Sequence, residues 1–127
     1  MVYTGLERRE FIRVPLSMAV RYSVVGTQQD CLETETEDIS TGGMKLLLKG
    51  ELAVGTILRL QFELLREEKS IRFDALEARV VWVMPNPNHR DYPYKAGIQF
   101  INIGINEGLL ISNCIYHRAE LLKKPFR

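Results

Sequence analysis

CLETETEDISTGGMKLLLK, running from Cys31 to Lys49, decides how the chain is read. Its first half alternates, with Leu32, Thr34 and Thr36 on one side and Glu33, Glu35 and Glu37 on the other. Its second half alternates as well, with Met44, Leu46 and Leu48 set against Lys45, Leu47 and Lys49. A two-residue period marks a strand with one buried face. Thr suits such a strand, whereas Glu is neutral to unfavourable in one. Between the two halves, STGG reads as a turn. In that turn Asp38 and Ser40 are expected to satisfy backbone N–H groups, and Gly42 or Gly43 to take a positive φ. Turn chemistry explains any one of these residues. It explains the set less well, because Asp and Ser two apart on a strand end project to one side.

The same period runs outward in both directions. In LSMAVRYSV one face carries Leu16, Met18, Val20, Tyr22 and Val24. TILRLQFEL places Leu58, Leu60, Phe62 and Leu64 inward, and YKAGIQFI places Tyr94, Ala96, Ile98 and Phe100 on one face. IRFDALEARVVWV is the longest candidate strand. Ile71, Phe73 and Ala75 fit one phase, and Leu76, Ala78, Val80 and Trp82 the opposite one. A slip of phase near Ala75 predicts a β-bulge or sharp bend there. VGTQQD, GELAVG, REEKS and MPNPNHRDYP separate the strands, with glycines, prolines or polar residues in each. After NIGIN the period changes. Leu110, Ile111, Cys114, Ile115, Ala119 and Leu122 recur at three- and four-residue steps, which predicts an amphipathic helix. Its C-terminal end is basic, as suits the helix dipole, and Pro125 cannot continue it comfortably. Six strands followed by one helix predict a mainly β protein, a small barrel or sandwich with the helix over one mouth or side.

Bulk properties narrow the function. A chain of 127 residues, 46% hydrophobic and 26% charged, is expected to form one globular domain. A formal net charge of +1 does not indicate a strongly basic nucleic-acid binder. No apolar run approaches the roughly 18 residues that span a membrane. MVYTGLERREF lacks the apolar segment of a signal peptide. Cys31 and Cys114 form neither a disulfide framework nor a metal-ligand spacing, so a reducing cytosolic setting is expected. His89 and His117 have no metal-ligand neighbours at a ligating spacing, and no serine-nucleophile elbow, phosphate-loop lysine or H-E-x-x-H motif occurs. No catalytic and no metal residue is assigned. Trp82 reads as a core or barrel-wall aromatic whose ring is also able to stack on a base.

ERREFIRVP, upstream, holds Arg8, Arg9 and Arg13, with Arg9 and Arg13 spaced as R-x-x-x-R. Residues four apart share a side in a helix or a strand. Pro15 disfavours helix at Val14, so the segment turns or extends into the first strand. Guanidinium groups suit phosphates and the O6/N7 edge of guanine. Taken alone, the cluster is better read as a solvated basic arm pairing with Glu7 and Glu10. Taken with Asp38, Ser40 and Gly43, it completes a set. A carboxylate accepts the N1–H and N2–H of guanine, a hydroxyl adds a donor or acceptor, and Gly43 lets a flat ligand approach the backbone.

R-x-x-x-R at Arg9 and Arg13 together with D-x-S-x-x-G at Asp38, Ser40 and Gly43 resembles the PilZ domain family. The flanks RVPLSMAVRY, EARVVWV and YKAGIQFINI are similar too, so the resemblance runs from about Leu6 into the terminal helix. It implies a six-stranded antiparallel β-barrel of split-barrel type with a C-terminal α-helix. The expected division is a flexible arm at 1–15, the barrel at 16–103, and helix and tail at 104–127. The family's ligand is cyclic di-GMP. The resemblance implies that Arg9 and Arg13 grip phosphates and guanine edges from the arm, and that Asp38, Ser40, Gly42 and Gly43 line the barrel surface against a guanine. Arg8 occupies the position that influences whether one nucleotide or a stacked pair binds, and its long basic side chain fits a pair. The expectation is a non-enzymatic, cytoplasmic cyclic di-GMP receptor without a cofactor. It signals to a downstream protein, binds neither DNA nor RNA and does not insert into a membrane. One alternative is a ligand-free PilZ-like adaptor whose surface includes Leu47, Val81 and the exposed part of the helix. A second, single-stranded nucleic-acid binding, is opposed by the near-neutral charge and the Glu33, Glu35 and Glu37 face.

Overall fold

An amphipathic strand must bury one face and pair both edges, and a closed barrel does both at once. The computed structural model describes residues 13–66 and 68–123. Arg8, Arg9, Pro125 and the rest of 1–12 and 124–127 lie outside the described residues, as does the side chain of Leu122. The strands are β1 (Val14–Pro15), β2 (Ala19–Val24), β3 (Leu32–Ile39), β4 (Gly43–Leu48), β5 (Ile57–Arg66), β6 (Lys69–Pro85) and β7 (Tyr94–Ile101). One helix, α1 (Ile105–Lys123), follows. Neighbours run β3-β2-β5-β6-β7-β4, every pair is antiparallel, and β4 returns to pair with β3. The result is a closed six-stranded antiparallel barrel with a C-terminal helix, as expected.

LSMAVRYSV is a strand only over Ala19–Val24, and its first three residues are a break that separates β2 from β1. The short β1 pairs Val14 with Ile39 and Pro15 with Asp38, whereas β2 resumes with Ala19 opposite Glu35. One extra residue therefore lies in the break at residues 16–18. Thr36, 1% exposed, fills it. Its Oγ1 accepts from the Met18 N–H at 3.2 Å and donates to the Leu16 carbonyl at 2.5 Å. The hydroxyl supplies the pairing that the interrupted backbone cannot. The apolar phase survives the break, since Val20 and Tyr22 are buried and Leu16, Met18 and Val24 pack partly against the core.

The predicted inward residues of β4, β5 and β7 fill the barrel. Met44, Leu46, Leu48, Leu58, Leu60, Phe62, Leu64, Ala96, Ile98 and Phe100 are all buried. Helix α1 packs against β1 and β5 and lays Ile111, Cys114, Ile115 and Ala119 onto the core. At its start the Gly104 N–H donates to Glu107 Oε1 at 3.1 Å, the backward half of a capping box. Leu110, assigned to the apolar face, is exposed instead. Leu47, assigned to the outer surface, is only 5% exposed although it stands outside the main core cluster. Its register partner on β7 is Lys95.

Three β-bulges change which way side chains point. The first follows the predicted slip, since the β5–β6 register gains one residue of β6 between Phe73 and Leu76. The second lies in β3, where the register against β4 shifts between Thr36 and Asp38. Glu37 and Asp38 are thereby both turned away from a core that takes Ile39, with Thr36 buried before them. The third lies in β6, where the register against β7 shifts between Val80 and Trp82. It corrects the assignment of Trp82 to the inward phase of Val80. Beyond the bulge Val83 packs against the core and Trp82 faces the outside of the wall.

The glycines of the turn also act differently from the expectation. The left-handed glycines among the described residues are Gly26 at φ 90° and Gly55 at φ 95°, not Gly42 or Gly43. Gly43 is needed for close approach instead, because a Cβ there would lie 1.9 Å from the Ile98 carbonyl oxygen. Replacing Gly43 with Ala should therefore force β4 and β7 apart. We expect a stability loss of about 1–3 kcal/mol or more in urea unfolding, as for an overpacked core. Thr36→Val keeps the shape but strands two backbone groups, for which a loss of about 1–3 kcal/mol is expected. An unchanged urea midpoint would show that the hydroxyl does not hold the strand break together.

Candidate functional site

Arg13 stands one residue before β1, and β1 runs beside the end of β3. That pairing brings together two charges 25 residues apart, with Arg13 Nη1 donating to Asp38 Oδ1 at 2.7 Å. Arg13's side chain is 56% exposed and Asp38's 15%. The guanidinium thus lies over a carboxylate that is mostly covered by the wall. Asp38's other oxygen, Oδ2, is 3.5 Å from Lys45 Nζ on the adjacent β4. Among the described residues Asp38 caps no backbone group of the turn, and its partners are the two cations.

Ser40 does perform turn chemistry. It is buried, and its Oγ accepts from the N–H groups of Gly42 and Gly43, each at 3.2 Å. Its backbone N–H donates to the Gly43 carbonyl at 2.8 Å. The Gly42 carbonyl in turn accepts from the Phe100 N–H at 2.8 Å, tying the turn to β7. The hydroxyl therefore sets the turn's shape, and the shape sets where the bare glycine backbone lies.

An open cleft of about 400 Å³ lies against this turn on the outer wall, bordered by Arg13, Ser40, Gly43, Trp82, Gly97 and Gln99. Gly42, Val81 and Ile98 also border it. The Trp82 indole lies across Gly97, where a Cβ would come within 2.2 Å of Trp82 Nε1. Gly43 and Gly97 lie on neighbouring strands, so the cleft has a flat floor with one large aromatic surface. A second hollow, bordered by Arg13, Pro15, Glu37 and Asp38, adjoins it through Arg13. The arrangement offers a π-face, the half-buried Gly42 backbone, a carboxylate and a guanidinium within one patch. It suits a planar group that donates from one edge and carries negative charge nearby.

Of the residues singled out in the sequence, Arg13, Asp38, Ser40, Gly42, Gly43 and Trp82 all fall on this patch. Arg8 and Arg9 lie outside the described residues. Gly97, Gln99 and Lys45 were not singled out, and Val81 only as adaptor surface, yet these four border the cleft or touch Asp38. Two of the four carry a sequence signal. A glycine inside YKAGIQF marks a bulge or a close approach. The unbroken apolar run VVWV departs from strict alternation and so signals a change of facing.

No curated protein matches the chain. Among solved structures it is similar to the Bacillus subtilis inhibitor of motility MotI/DgrA, with 22% identity and a TM-score of 0.76. That alignment covers 93% of this chain and 54% of MotI/DgrA, so the chain spans about half the length of that protein. It is also similar to the PilZ domain of YcgR from Escherichia coli with c-di-GMP, at 15% identity and a TM-score of 0.68, covering 91% and 95% of the two chains. The K. pneumonia MrkH–c-di-GMP complex follows at 17% identity and a TM-score of 0.64, covering 91% and 54%. At these identities the likeness speaks for the fold. The sequence itself matches the PilZ domain across residues 7–117, a span that includes both arginines of R-x-x-x-R, the whole D-x-S-x-x-G motif and every strand, and the chain belongs to the PilZ domain family.

Proposed function

We propose that this chain is a receptor for cyclic di-GMP and not an enzyme. The observation that carries the reading is the Arg13–Asp38 pair at the rim of a glycine-floored cleft. Two of the similar structures, those of YcgR and MrkH, are c-di-GMP complexes of family-like proteins, which supports it. In this reading a guanine enters along Gly42 and Gly43 and donates its N1–H and N2–H to Asp38. Arg13 exchanges its carboxylate partner for a phosphate or the O6/N7 edge, trading one charge-assisted pair for others. Arg9 grips the same ligand, and Arg8 adds the contact that suits a stacked pair of nucleotides. Ser40 holds the turn that keeps the floor bare. Trp82 offers its face to a base. Binding orders the arginine arm over the cleft, and the ordered arm presents a changed surface to a downstream protein. The ligand-free adaptor reading loses one of its three supports, because Leu47 is buried.

Titration calorimetry tests the reading. The wild type should bind cyclic di-GMP at micromolar concentration or tighter. Arg9→Ala, Arg13→Ala and Asp38→Ala should each lose about 1.5–3 kcal/mol, tenfold or more in affinity. No heat from the wild type at high ligand concentration refutes the proposal. The only tryptophan of the chain supplies a second readout. Saturating ligand should quench the emission of Trp82 and shift it. Gly97→Ala, which pushes the indole off its seat, should shift the emission without ligand and weaken binding while the unfolding midpoint stays close to wild type. Emission indifferent to saturating ligand would remove Trp82 from the site.

A further inference from the structure

Five charges of alternating sign run along the outer wall. Lys95 Nζ lies 4.0 Å from Glu37 Oε1, and Lys45 Nζ lies 3.8 Å from the same oxygen. Lys45 Nζ lies 3.5 Å from Asp38 Oδ2, and Arg13 Nη1 lies 2.7 Å from Asp38 Oδ1. The row exists because the β3 bulge turns Glu37 and Asp38 out together, beside the single amine of Lys45. Asp38 and Lys45 are register partners on paired strands, so Lys45 is carried by the barrel and not by the arm.

We infer that Lys45 is a positioning residue of the nucleotide site, the resident counter-ion that allows Arg13 to leave Asp38 for the ligand. This inference rests on the cyclic di-GMP reading. The two cations on Asp38 differ in kind. Arg13 belongs to the arginine motif and is the more exposed, at 56% against 27% for Lys45. When Arg13 turns to the ligand, a carboxylate that is largely covered by the wall would stand without a cation. Such a group is costly to leave unpaired. Lys45 stays and holds the carboxylate's second oxygen, so the first oxygen faces the cleft as an acceptor. Without Lys45, Arg13 is the one cation left on Asp38 among the described residues, Asp38 grips it harder, and the ligand must break that pair at full cost. Glu37 competes for the same amine, and Lys95 restrains Glu37 from the β7 side, which leaves Lys45 shared instead of captured.

The test is a double-mutant cycle read by calorimetry with cyclic di-GMP itself. Lys45→Met and Lys45→Gln should each bind about tenfold more weakly than wild type, the scale of one lost charged contact. Their circular dichroism and melting should match wild type. Lys45→Arg should restore affinity to within about threefold, since it returns the charge. In an Asp38→Asn background, Lys45→Met should change affinity less than about twofold, because the residue acts through the carboxylate. Wild-type affinity in Lys45→Met and Lys45→Gln overturns the inference and leaves the receptor reading standing. So does an equal fold-loss in the Asp38→Asn background, or a Lys45→Arg variant that binds as poorly as the neutral ones. A wild type that does not bind overturns both.

Discussion

The barrel closes because the backbone of β4 comes against β7 with nothing between them at Gly43. A Cβ at that position would meet the Ile98 carbonyl at 1.9 Å, inside any tolerable contact. β4 is the strand that pairs with both β3 and β7, so the last edge of the sheet is sealed there. Closure removes free edges and encloses the apolar faces of all six strands at once. The turn leading into β4 is held by Ser40, whose hydroxyl accepts from two backbone N–H groups. The same glycine that permits closure borders the cleft. Fold and site thus share one constraint.

Two bulges convert a structural wall into a chemical surface. A regular β3 would place Asp38 in the phase of Thr36, toward the core. A regular β6 would place Trp82 in the phase of Val80. One extra residue in each strand reverses both, and the carboxylate and the indole arrive on the outer face near Gly43 and Gly97. Bulges commonly re-aim side chains beside functional sites. The unpaired backbone they create is tolerable because the rest of each ladder is long, as in β6 with its 17 residues.

The Arg13–Asp38 pair is well placed to be exchanged. The guanidinium is more than half exposed, and Lys45 Nζ stands 3.5 Å from the other oxygen, so the covered carboxylate keeps a cation when the guanidinium moves elsewhere. Charge-assisted contacts to phosphate and to a guanine edge are stronger and more directional. The pair therefore keeps the two motif residues together and, in the receptor reading proposed above, is exchanged for a ligand that offers each of them a better partner. Thr36 contributes indirectly, since it bridges the strand break that sets β1, and with it Arg13, beside the end of β3.

Alternation in β4, β5 and β7 was legible because facing in a strand is a local property. Residues two apart share a face whatever the strand pairs with, and so Leu58 to Leu64 and Ala96 to Phe100 fall as read. The slip near Ala75 was legible for the same reason, as a break in that local period. The two motifs, Arg9 with Arg13 and Asp38 with Ser40 and Gly43, were legible as residue types at fixed spacing. The outward turn of Trp82, the burial of Leu47 and the role of Gly43 were not. Each depends on a partner strand: a register shift against β7, a place beside Lys95 of β7, a carbonyl 55 residues away in the chain. Lys45 read as the polar half of an alternating pair and nothing more. The sequence by itself determined the strands, the helix and the chemistry on offer. Only the tertiary structure decided which side chains meet, because register is a relation between strands and no single strand contains it.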